Sequence, residues 1–181
     1  MQENFLKSAP GRTQQLNQYA NNTFYRRFHF KQTFINAHNQ ISIMNIRTVE
    51  LKDLNKCVEL LDLPELTFPS GKAPHLKYVK AYVDSGLFFV AEENSEVIGC
   101  IFGETLKDHG SMLWYFVVDI KFRSKGIGQK MLSYYEAECK KQNISWVVLY
   151  APTISKKSLE FYEKMGYDKG KSFTEFSKKL K

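Results

Sequence analysis

The chain has 181 residues, of which 43% are hydrophobic and 14% aromatic, a composition typical of one folded domain with a short additional segment. Its 26 Lys and Arg residues outnumber its 19 Asp and Glu residues, which gives a net charge of +7. The longest apolar run, residues 112–118, is too short to cross a bilayer, and residues 1–10 lack the apolar core of a secretory signal, so we expect a cytoplasmic protein.

Residues 1–43 differ in composition from the remainder. They contain twelve Asn and Gln residues and five basic residues, Glu3 is their only acid, and no hydrophobic period persists. This segment therefore carries +4 of the net charge and leaves +3 for the rest. We predict a flexible or loosely structured N-terminal extension, followed by one domain at 44–181. The sequence leaves open whether Met44 is an original start or the extension is a mitochondrial transit peptide.

From residue 44 onward, hydrophobic periodicity and turn residues predict alternating strands and helices. The first elements are a strand at 46–50, helices at 53–61 and 74–84 around a Pro-rich loop, and strands at 87–92 and 97–103 around a turn. The later elements are a strand at 112–118, a helix at 127–141, a strand at 146–150, a helix at 155–165 and a strand at 172–177. The uniformly apolar run 112–118 predicts a central strand buried on both faces.

The three cysteines, Cys57, Cys100 and Cys139, lie far apart within apolar or helical patterns. This spacing favours neither a disulfide framework nor a Cys-x-x-Cys metal site. We expect reduced cysteines in the core.

The loop between the predicted strand 112–118 and the helix 127–141 has the residues of an anion-binding turn. Gly126 and Gly128 lack a Cβ, so the backbone can approach an anion and direct its N–H groups toward it, and the following helix adds partial positive charge. Arg123 and Lys125 add full charges. No segment of the chain has the complete Gly-x-x-x-x-Gly-Lys-(Ser/Thr) pattern of a P-loop, and Met131 replaces the third glycine of a dinucleotide fingerprint.

The pattern Arg-x-x-Gly-x-Gly at 123–128 resembles the pyrophosphate loop of the GCN5-related N-acetyltransferase (GNAT) family. The segment 155–167 resembles the family's Asn-x-x-(Ala/Ser)-x-x-x-Tyr-x-x-x-Gly-(Phe/Tyr) helix and turn, and the predicted order of elements matches the family from residue 44 to about 180. The resemblance implies an α/β GNAT acyl-CoA N-acyltransferase fold, with a mixed central sheet of six to seven strands and about four helices.

The same resemblance implies a site for acetyl-CoA as co-substrate, without a metal. Backbone groups of the central strand are implied to pair with the pantetheine arm, and amides of the glycine loop to bind the pyrophosphate. The implied coenzyme-binding residues are Phe116, Val117, Val118, Arg123, Ser124, Lys125, Gly126, Ile127, Gly128, Gln129 and Ser155. Tyr162 occupies the family's tyrosine position and is implied to protonate the departing coenzyme thiolate as general acid.

Two departures from the family pattern concern the same site. Ser155 stands where Asn begins the helix motif; it is shorter, yet it can cap the helix and reach a phosphate or the pantetheine. Tyr150 and about Met112 stand where relatives carry a catalytic glutamate. The ionisable residues nearest the expected cleft are Glu104, Asp108, His109 and Asp119, and we assign none of them as the base.

The favoured interpretation is an N-acetyltransferase that moves the acetyl group of acetyl-CoA to a primary amine by direct attack. The alternative is a non-catalytic acyl-CoA-binding module of the same fold, which would account for both departures. We expect a small-molecule or peptide amine as acceptor and no nucleic-acid or membrane partner, because the domain itself is only mildly basic. Phe68 and Trp114 fit either an apolar acceptor pocket or the core, and the oligomeric state is open.

Overall fold

A mixed six-stranded sheet forms the centre of the computed structural model, which describes residues 30–35, 41–68, 70–178 and 180. Its strands, in spatial and chain order, are β1 (Phe30–Ile35), β2 (Ile41–Thr48), β3 (Phe88–Glu93), β4 (Glu96–Thr105), β5 (Gly110–Val118) and β6 (Trp146–Leu149). The described α-helices are α1 (Leu54–Leu61), α2 (Leu76–Lys80), α3 (Ile127–Lys141) and α4 (Lys156–Lys164). Within these residues, no helix combines the length and apolarity that a membrane span requires.

Strand β5 is paired along only part of its edge toward β6. Strands β1 to β5 pair antiparallel with their neighbours, whereas β5 and β6 are parallel and pair only over Gly110–Leu113 and Trp146–Leu149. Since β5 continues to Val118, its edge beyond Leu113 has no partner strand in the described part of the chain. The predicted burial of this strand on both faces is wrong only in its middle: Trp114 is 39% exposed and Tyr115 and Phe116 are partly buried, whereas Val117 and Val118 are buried.

A β-bulge lies at the point where β5 leaves β6. Phe102 is opposite Tyr115 and Gly103 is opposite Leu113, so that Trp114 is the extra residue. A Cβ at Gly103 would overlap the Met112 carbonyl oxygen, which explains why glycine stands there. Because a bulge bends the strand and increases its twist, it directs the second half of β5 away from β6.

Helices cover both faces of the sheet. Alternation along β4 places Cys100 and Phe102 in a core beneath α1 and α2, and Ile101 in a second core beneath α3 and α4. Met131 and Tyr135 of α3 are fully buried in the second core. The three cysteines are buried and free of disulfides, as predicted.

Several predicted elements are confirmed where local signals were strong. The helix at 127–141 has the predicted bounds, and a 3-10 turn at Pro64–Leu66 lies in the loop between the first two helices. The turn joining β3 to β4 has Asn94 at φ 50° and Ser95 at φ 67°, the paired positive values of a tight two-residue hairpin.

Three predicted elements differ from the structure. The first strand ends at Thr48 instead of residue 50, because the Asp53 carboxylate accepts the Glu50 N–H at 2.8 Å and begins the helical segment. The second helix is shortened to α2 and followed by a turn and a 3-10 segment, Val83–Ser85. The strand predicted at 172–177 is wrong, because the structure has no strand there. Phe173 and Phe176 are 77% and 91% exposed, and residues three apart would lie on opposite faces of a strand instead of forming one apolar face.

Part of the segment before Met44 belongs to the sheet. Strand β1 and the first three residues of β2 lie before that position, and β1 pairs with β2 from Phe30 opposite Ile46 to Ile35 opposite Ile41. Most of the segment 1–43 lies outside the described residues, so the domain boundary and its loose structure stay predictions.

Candidate active site

The glycine loop connects β5 to the N-terminus of α3. Gly126 is the N-cap residue of α3 with φ 77°, and Ser124, two residues earlier, has φ 63°. Left-handed residues in such a turn direct backbone N–H groups into a shared concavity. No side chain caps α3, so the amides of its first turn, Ile127 to Gln129, are left for another acceptor. Together with the helix dipole, these amides are suited to bind an anion.

The two loop cations are placed differently. The Arg123 Nε donates to the Val118 carbonyl oxygen at 2.8 Å, so this side chain ties the loop to the end of β5. The Lys125 Nζ lies 5.0 Å from the centroid of the Phe122 ring. Arg123, Ser124 and Lys125 are all exposed. The loop thus presents positive charge to solvent while one of its cations also fixes its shape.

The open edge of β5 carries backbone groups without a strand partner. The Asp119 N–H donates to the Ile98 carbonyl of β4 at 2.8 Å. The backbone N–H and C=O groups of successive residues alternate between the two edges of a strand. Those of Val118 and Phe116 therefore point to the edge of β5 that does not pair with β6. The bond from Arg123 to the Val118 carbonyl agrees with this direction. Val117 faces β4 opposite Cys100, and a cavity of about 380 Å³ lies where the end of β5 meets α1.

Gly128 lies where α3, β5 and α4 meet. A Cβ at Gly128 would lie 3.5 Å from the Phe116 ring of β5 and 3.6 Å from the Phe161 ring of α4. Those two rings have centroids 5.9 Å apart. Phe161 therefore holds α4, and with it the neighbouring Tyr162, against the start of α3.

Tyr162 lies among aromatic rings on the core side of α4. Its ring centroid is 5.3 Å from that of Phe161 and 5.7 Å from that of Tyr167. Burial raises the pKa of Tyr162 to about 12, so the phenol is protonated at neutral pH. Its hydroxyl forms no hydrogen bond within the described part of the chain. A protonated, unpartnered phenol is suited to donate to an anion that develops during a reaction.

The neighbouring Tyr167 has a different environment. Its hydroxyl donates to the Glu136 carboxylate of α3 at 3.0 Å, and burial, with the negative charge of Glu136, raises its pKa. This hydrogen bond joins the end of α4 to α3. Tyr167 thus has a structural partner that Tyr162 lacks.

Ser155 occupies the N-cap position of α4, yet its side chain makes no capping hydrogen bond. Its Oγ lies 2.7 Å from the Ser158 Oγ instead. The capping interaction expected of Ser155 is therefore not formed, and its contact with the coenzyme stays a prediction.

The four ionisable residues near the cleft separate into two groups. The Asp108 and Asp119 carboxylates accept backbone N–H groups of their own turns, at 3.3 and 2.9 Å, and His109 is exposed in the turn before β5. Glu104 alone among the four contacts the β5 bulge, where its Oε1 accepts the Trp114 Nε1–H at 2.9 Å. No cluster of three or more His, Cys, Asp or Glu side chains suited to a metal occurs in the described ranges.

An aromatic cluster on the α2 side of the sheet was not predicted from the sequence. Its members are Phe68, Tyr78, Tyr82, Phe102 and Tyr115. Phe68 packs edge-to-face on Tyr78 with ring centroids 5.1 Å apart, so it belongs to this cluster. The spacing of Tyr78 and Tyr82, four residues apart on one helical face, was a signal that could have indicated the cluster.

Residues 84–169 match a family model described as Acetyltransferase (GNAT) domain, and this range includes the glycine loop and Tyr162. The curated protein Acetyltransferase plu1384 of Photorhabdus laumondii is 28% identical over 139 residues, which cover 76% of this chain and 96% of that protein.

Solved structures share the fold. Ard1 from Thermoplasma volcanium matches with 23% identity and a TM-score of 0.62, over 68% of this chain and 81% of that one. The aminoglycoside N-acetyltransferase AAC(6')-Iy in complex with CoA matches with 14% identity and a TM-score of 0.64, over 77% of this chain and 97% of that one. At these identities the likeness shows the fold alone, and it confirms the predicted α/β GNAT fold.

Proposed function

We propose that this chain, whose residues 84–169 match the GNAT acetyltransferase domain model, is an acetyltransferase of that family and transfers the acetyl group of acetyl-CoA to a primary amine by direct attack. The observation that carries the proposal is the Tyr162 hydroxyl, which is protonated, has no partner among the described residues, and lies on a helix packed against the glycine loop. The adjacent Tyr167 differs, because its hydroxyl donates to Glu136.

The residues of the site fit the coenzyme. The uncapped amides of Ile127 to Gln129, with Lys125 beside them, suit a pyrophosphate, and the absence of a Cβ at Gly126 and Gly128 allows close approach. The free edge of β5 at Phe116 and Val118 suits the amide groups of a pantetheine arm, which would pair with it as an added strand. Acetyl-CoA supplies the thioester that reacts.

In the proposed reaction a neutral amine forms the new N–C bond while the C–S bond breaks. The Val118 N–H, which points to the open edge, is placed to donate to the carbonyl oxygen as negative charge develops there. Tyr162 gives its proton to the sulfur and recovers one from solvent, where the proton of the attacking amine is released. Positioning and charge stabilisation supply most of the acceleration in this scheme.

Substitution of Tyr162 by Phe tests the proposal. General acid catalysis contributes about 10²–10⁴-fold, so we expect Tyr162→Phe to lower kcat at least about 100-fold while the Kd for acetyl-CoA, measured by calorimetry, is unchanged. The matched control is Tyr167→Phe, which removes a partly buried hydroxyl from the adjacent ring. It should keep kcat within a few fold. Equal turnover of Tyr162→Phe and wild type in a thiol-release assay would contradict the acid role.

A second candidate is a non-catalytic acyl-CoA-binding module. It is favoured by the absence of a carboxylate at Tyr150, which is 70% exposed, and at the partly buried Met112. Acetyl-CoA binding without thiol release across a broad panel of amines would support this candidate.

The acceptor classes of structural neighbours differ, since these include an aminoglycoside acetyltransferase and the ribosomal-protein-S18-alanine N-acetyltransferase of Escherichia coli. For this chain we propose an amine of a small molecule or peptide, without a nucleic-acid or membrane partner, acetylated in the cytoplasm.

A further inference from the structure

A buried pair of hydroxyl groups joins helix α3 to the sheet beside the β5 bulge. Tyr135 of α3 and Ser111 of β5 are both 0% exposed, and the Tyr135 hydroxyl lies 2.6 Å from the Ser111 Oγ. The Ser111 Oγ donates to the Glu104 carbonyl oxygen of β4 at 3.2 Å, so the Tyr135 hydroxyl is the donor to Ser111. Two hydrogen bonds in the core thus join α3, β5 and β4.

The same tyrosine hydroxyl lies against the glycine of the bulge. A Cβ at Gly103 would overlap both the Tyr135 hydroxyl and the Met112 carbonyl oxygen. Gly103 is opposite Leu113, and Trp114 is the extra residue that follows Leu113. The pairing of β5 with β6 ends at Leu113. The Tyr135 hydroxyl therefore touches the sheet next to the position where the open edge of β5 begins.

A hydrogen-bonded pair fixes this contact more narrowly than apolar packing would. Buried polar groups are tolerated only when they are paired, and a satisfied pair specifies one arrangement of the elements that carry it. Burial raises the pKa of Tyr135, so its hydroxyl stays protonated and remains a donor at neutral pH. The pair with Ser111 therefore limits how far α3 can slide or rotate relative to β5.

Helix α3 and strand β5 carry the two halves of the proposed coenzyme site. The amides suited to the pyrophosphate begin at Ile127, and Tyr135 follows eight residues later in the same helix, about 12 Å along its axis. The backbone groups suited to the pantetheine arm lie beyond the bulge, at Phe116 and Val118. One coenzyme molecule must reach both halves, so its affinity depends on the position of α3 relative to β5.

We propose that Tyr135 is a positioning residue for the coenzyme: its hydrogen bond to Ser111 holds α3 and β5 where one coenzyme molecule contacts both the glycine-loop amides and the open edge of β5. This inference rests on the proposed acetyl transfer from acetyl-CoA. Because Tyr135 is fully buried, it acts through α3 and β5 and not by contact with the ligand. Its loss should weaken ligands that span both halves and spare a ligand that binds only one.

The first test compares two ligands by calorimetry. Acetyl-CoA spans both halves, whereas 3′-phosphoadenosine 5′-diphosphate has the nucleotide and the pyrophosphate but no pantetheine arm. Tyr135→Phe removes one buried hydrogen bond, so it should raise the Kd for acetyl-CoA about five- to tenfold and keep that for the nucleotide within about twofold. The matched control is Tyr134→Phe, which removes the neighbouring hydroxyl of α3, on a ring packed against Phe89. It should bind both ligands as wild type does.

A second variant removes the other member of the pair. Ser111→Ala should weaken acetyl-CoA binding to the same degree, and the double variant should be no weaker than either single one, because both substitutions remove the same hydrogen bond. Equal weakening of both ligands in Tyr135→Phe would show that the hydroxyl supports the glycine loop itself and not its position relative to β5. That result would overturn the inference.

A third measurement reports on the bulge without a ligand. In a Trp146→Phe background Trp114 is the remaining tryptophan, and Tyr135→Phe should shift its fluorescence emission because the bulge relaxes. An unchanged emission, or wild-type affinity of Tyr135→Phe for acetyl-CoA, would overturn the inference and leave the proposed function standing. A wild-type protein that binds neither ligand would contradict the proposed function and, with it, this inference.

Discussion

The two halves of the sheet differ in how their polar groups are satisfied. In the amino-terminal half, β2 to β4 with α1, the buried Asp53 carboxylate is paired with Arg47 and a backbone N–H. In the carboxyl-terminal half, the β5 edge loses its partner after Leu113, the first turn of α3 is uncapped, and the Tyr162 hydroxyl has no partner among the described residues. Folding pairs the buried charges of the first half, although Asn45 Oδ1 in β2 is buried without a hydrogen-bond partner in the described residues. The second half leaves backbone and hydroxyl groups that a ligand could satisfy.

Arg47 is the centre of the ion-pair network in the amino-terminal half of the sheet. Its Nη1 lies 2.6 Å from Asp53 Oδ2, its Nη2 lies 3.0 Å from Asp53 Oδ1, and its Nε lies 2.9 Å from Glu92 Oε2. Asp53 is only 4% exposed and also accepts the Glu50 N–H. One guanidinium thus joins β2, β3 and the segment that begins α1.

The largest change in stability is expected from Arg47→Met, which tests whether the amino-terminal half depends on its ion pairs. Removing one partner of a buried ion pair leaves the other charge uncompensated, so we expect a loss of about 3–5 kcal/mol in the free energy of unfolding, measured with urea. Lys56→Met is the control, because Lys56 lies 3.5 Å from both Glu59 and Glu96 at the surface, and it should cost less than about 1 kcal/mol. A loss below 1 kcal/mol for Arg47→Met would show that the amino-terminal half does not depend on this pair.

The next prediction concerns pH in the same variant. Burial alone would raise the pKa of Asp53, but hydrogen bonds from Arg47 and the Glu50 N–H outweigh it and lower the pKa. In wild type this stabilisation is present above the unfolded pKa of about 4 and is lost as pH falls through the folded value. Without Arg47, burial dominates and the folded pKa lies above the unfolded one.

The stability deficit of Arg47→Met should therefore shrink as pH falls from 7 toward 4, by up to about 1.4 kcal/mol per pH unit while Asp53 titrates. Urea denaturation of both proteins at pH 7, 6 and 5 measures the difference. A deficit that stays constant, or grows on acidification, would exclude Asp53 as the group that Arg47 compensates.

The features that could be predicted from sequence are those with local signals, and the features that could not depend on contacts between distant residues. Helix α3, the hairpin at Asn94 and Ser95, and the glycine loop were predicted because their signals are local: a helical period that begins after a glycine, two turn-forming residues, and closely spaced glycines. Tyr162 was indicated by its motif. Its lack of a hydrogen-bond partner could not be predicted, because that depends on which side chains of α3 approach α4.

The opening of the sheet depends on distant contacts. The apolar run 112–118 is compatible both with a fully paired strand and with one that leaves its neighbour halfway, and the bulge at Trp114 is decided by the fit of Gly103 against β5. The strand expected at 172–177 failed for a similar reason, since β-propensity without consistent alternation does not secure a partner.

The smallest effects are predicted for alanine substitutions at two glycines of the carboxyl-terminal half, which should reduce stability equally but differ in their effect on acetyl-CoA binding. Gly126 and Gly166 both have positive φ, 77° and 87°, and a Cβ would meet only Gln129 Oε1, at 3.9 Å, at the first and nothing within 4 Å at the second. Alanine at either site should therefore cost about 1 kcal/mol of stability through backbone strain alone. Only Gly126→Ala should also weaken acetyl-CoA binding, about five- to tenfold by calorimetry, because relief of that strain moves the amides that are left for the pyrophosphate. If both variants bind acetyl-CoA as wild type does, the uncapped turn of α3 is not the anion site, and the half of the sheet that appears incomplete must be completed by some other group.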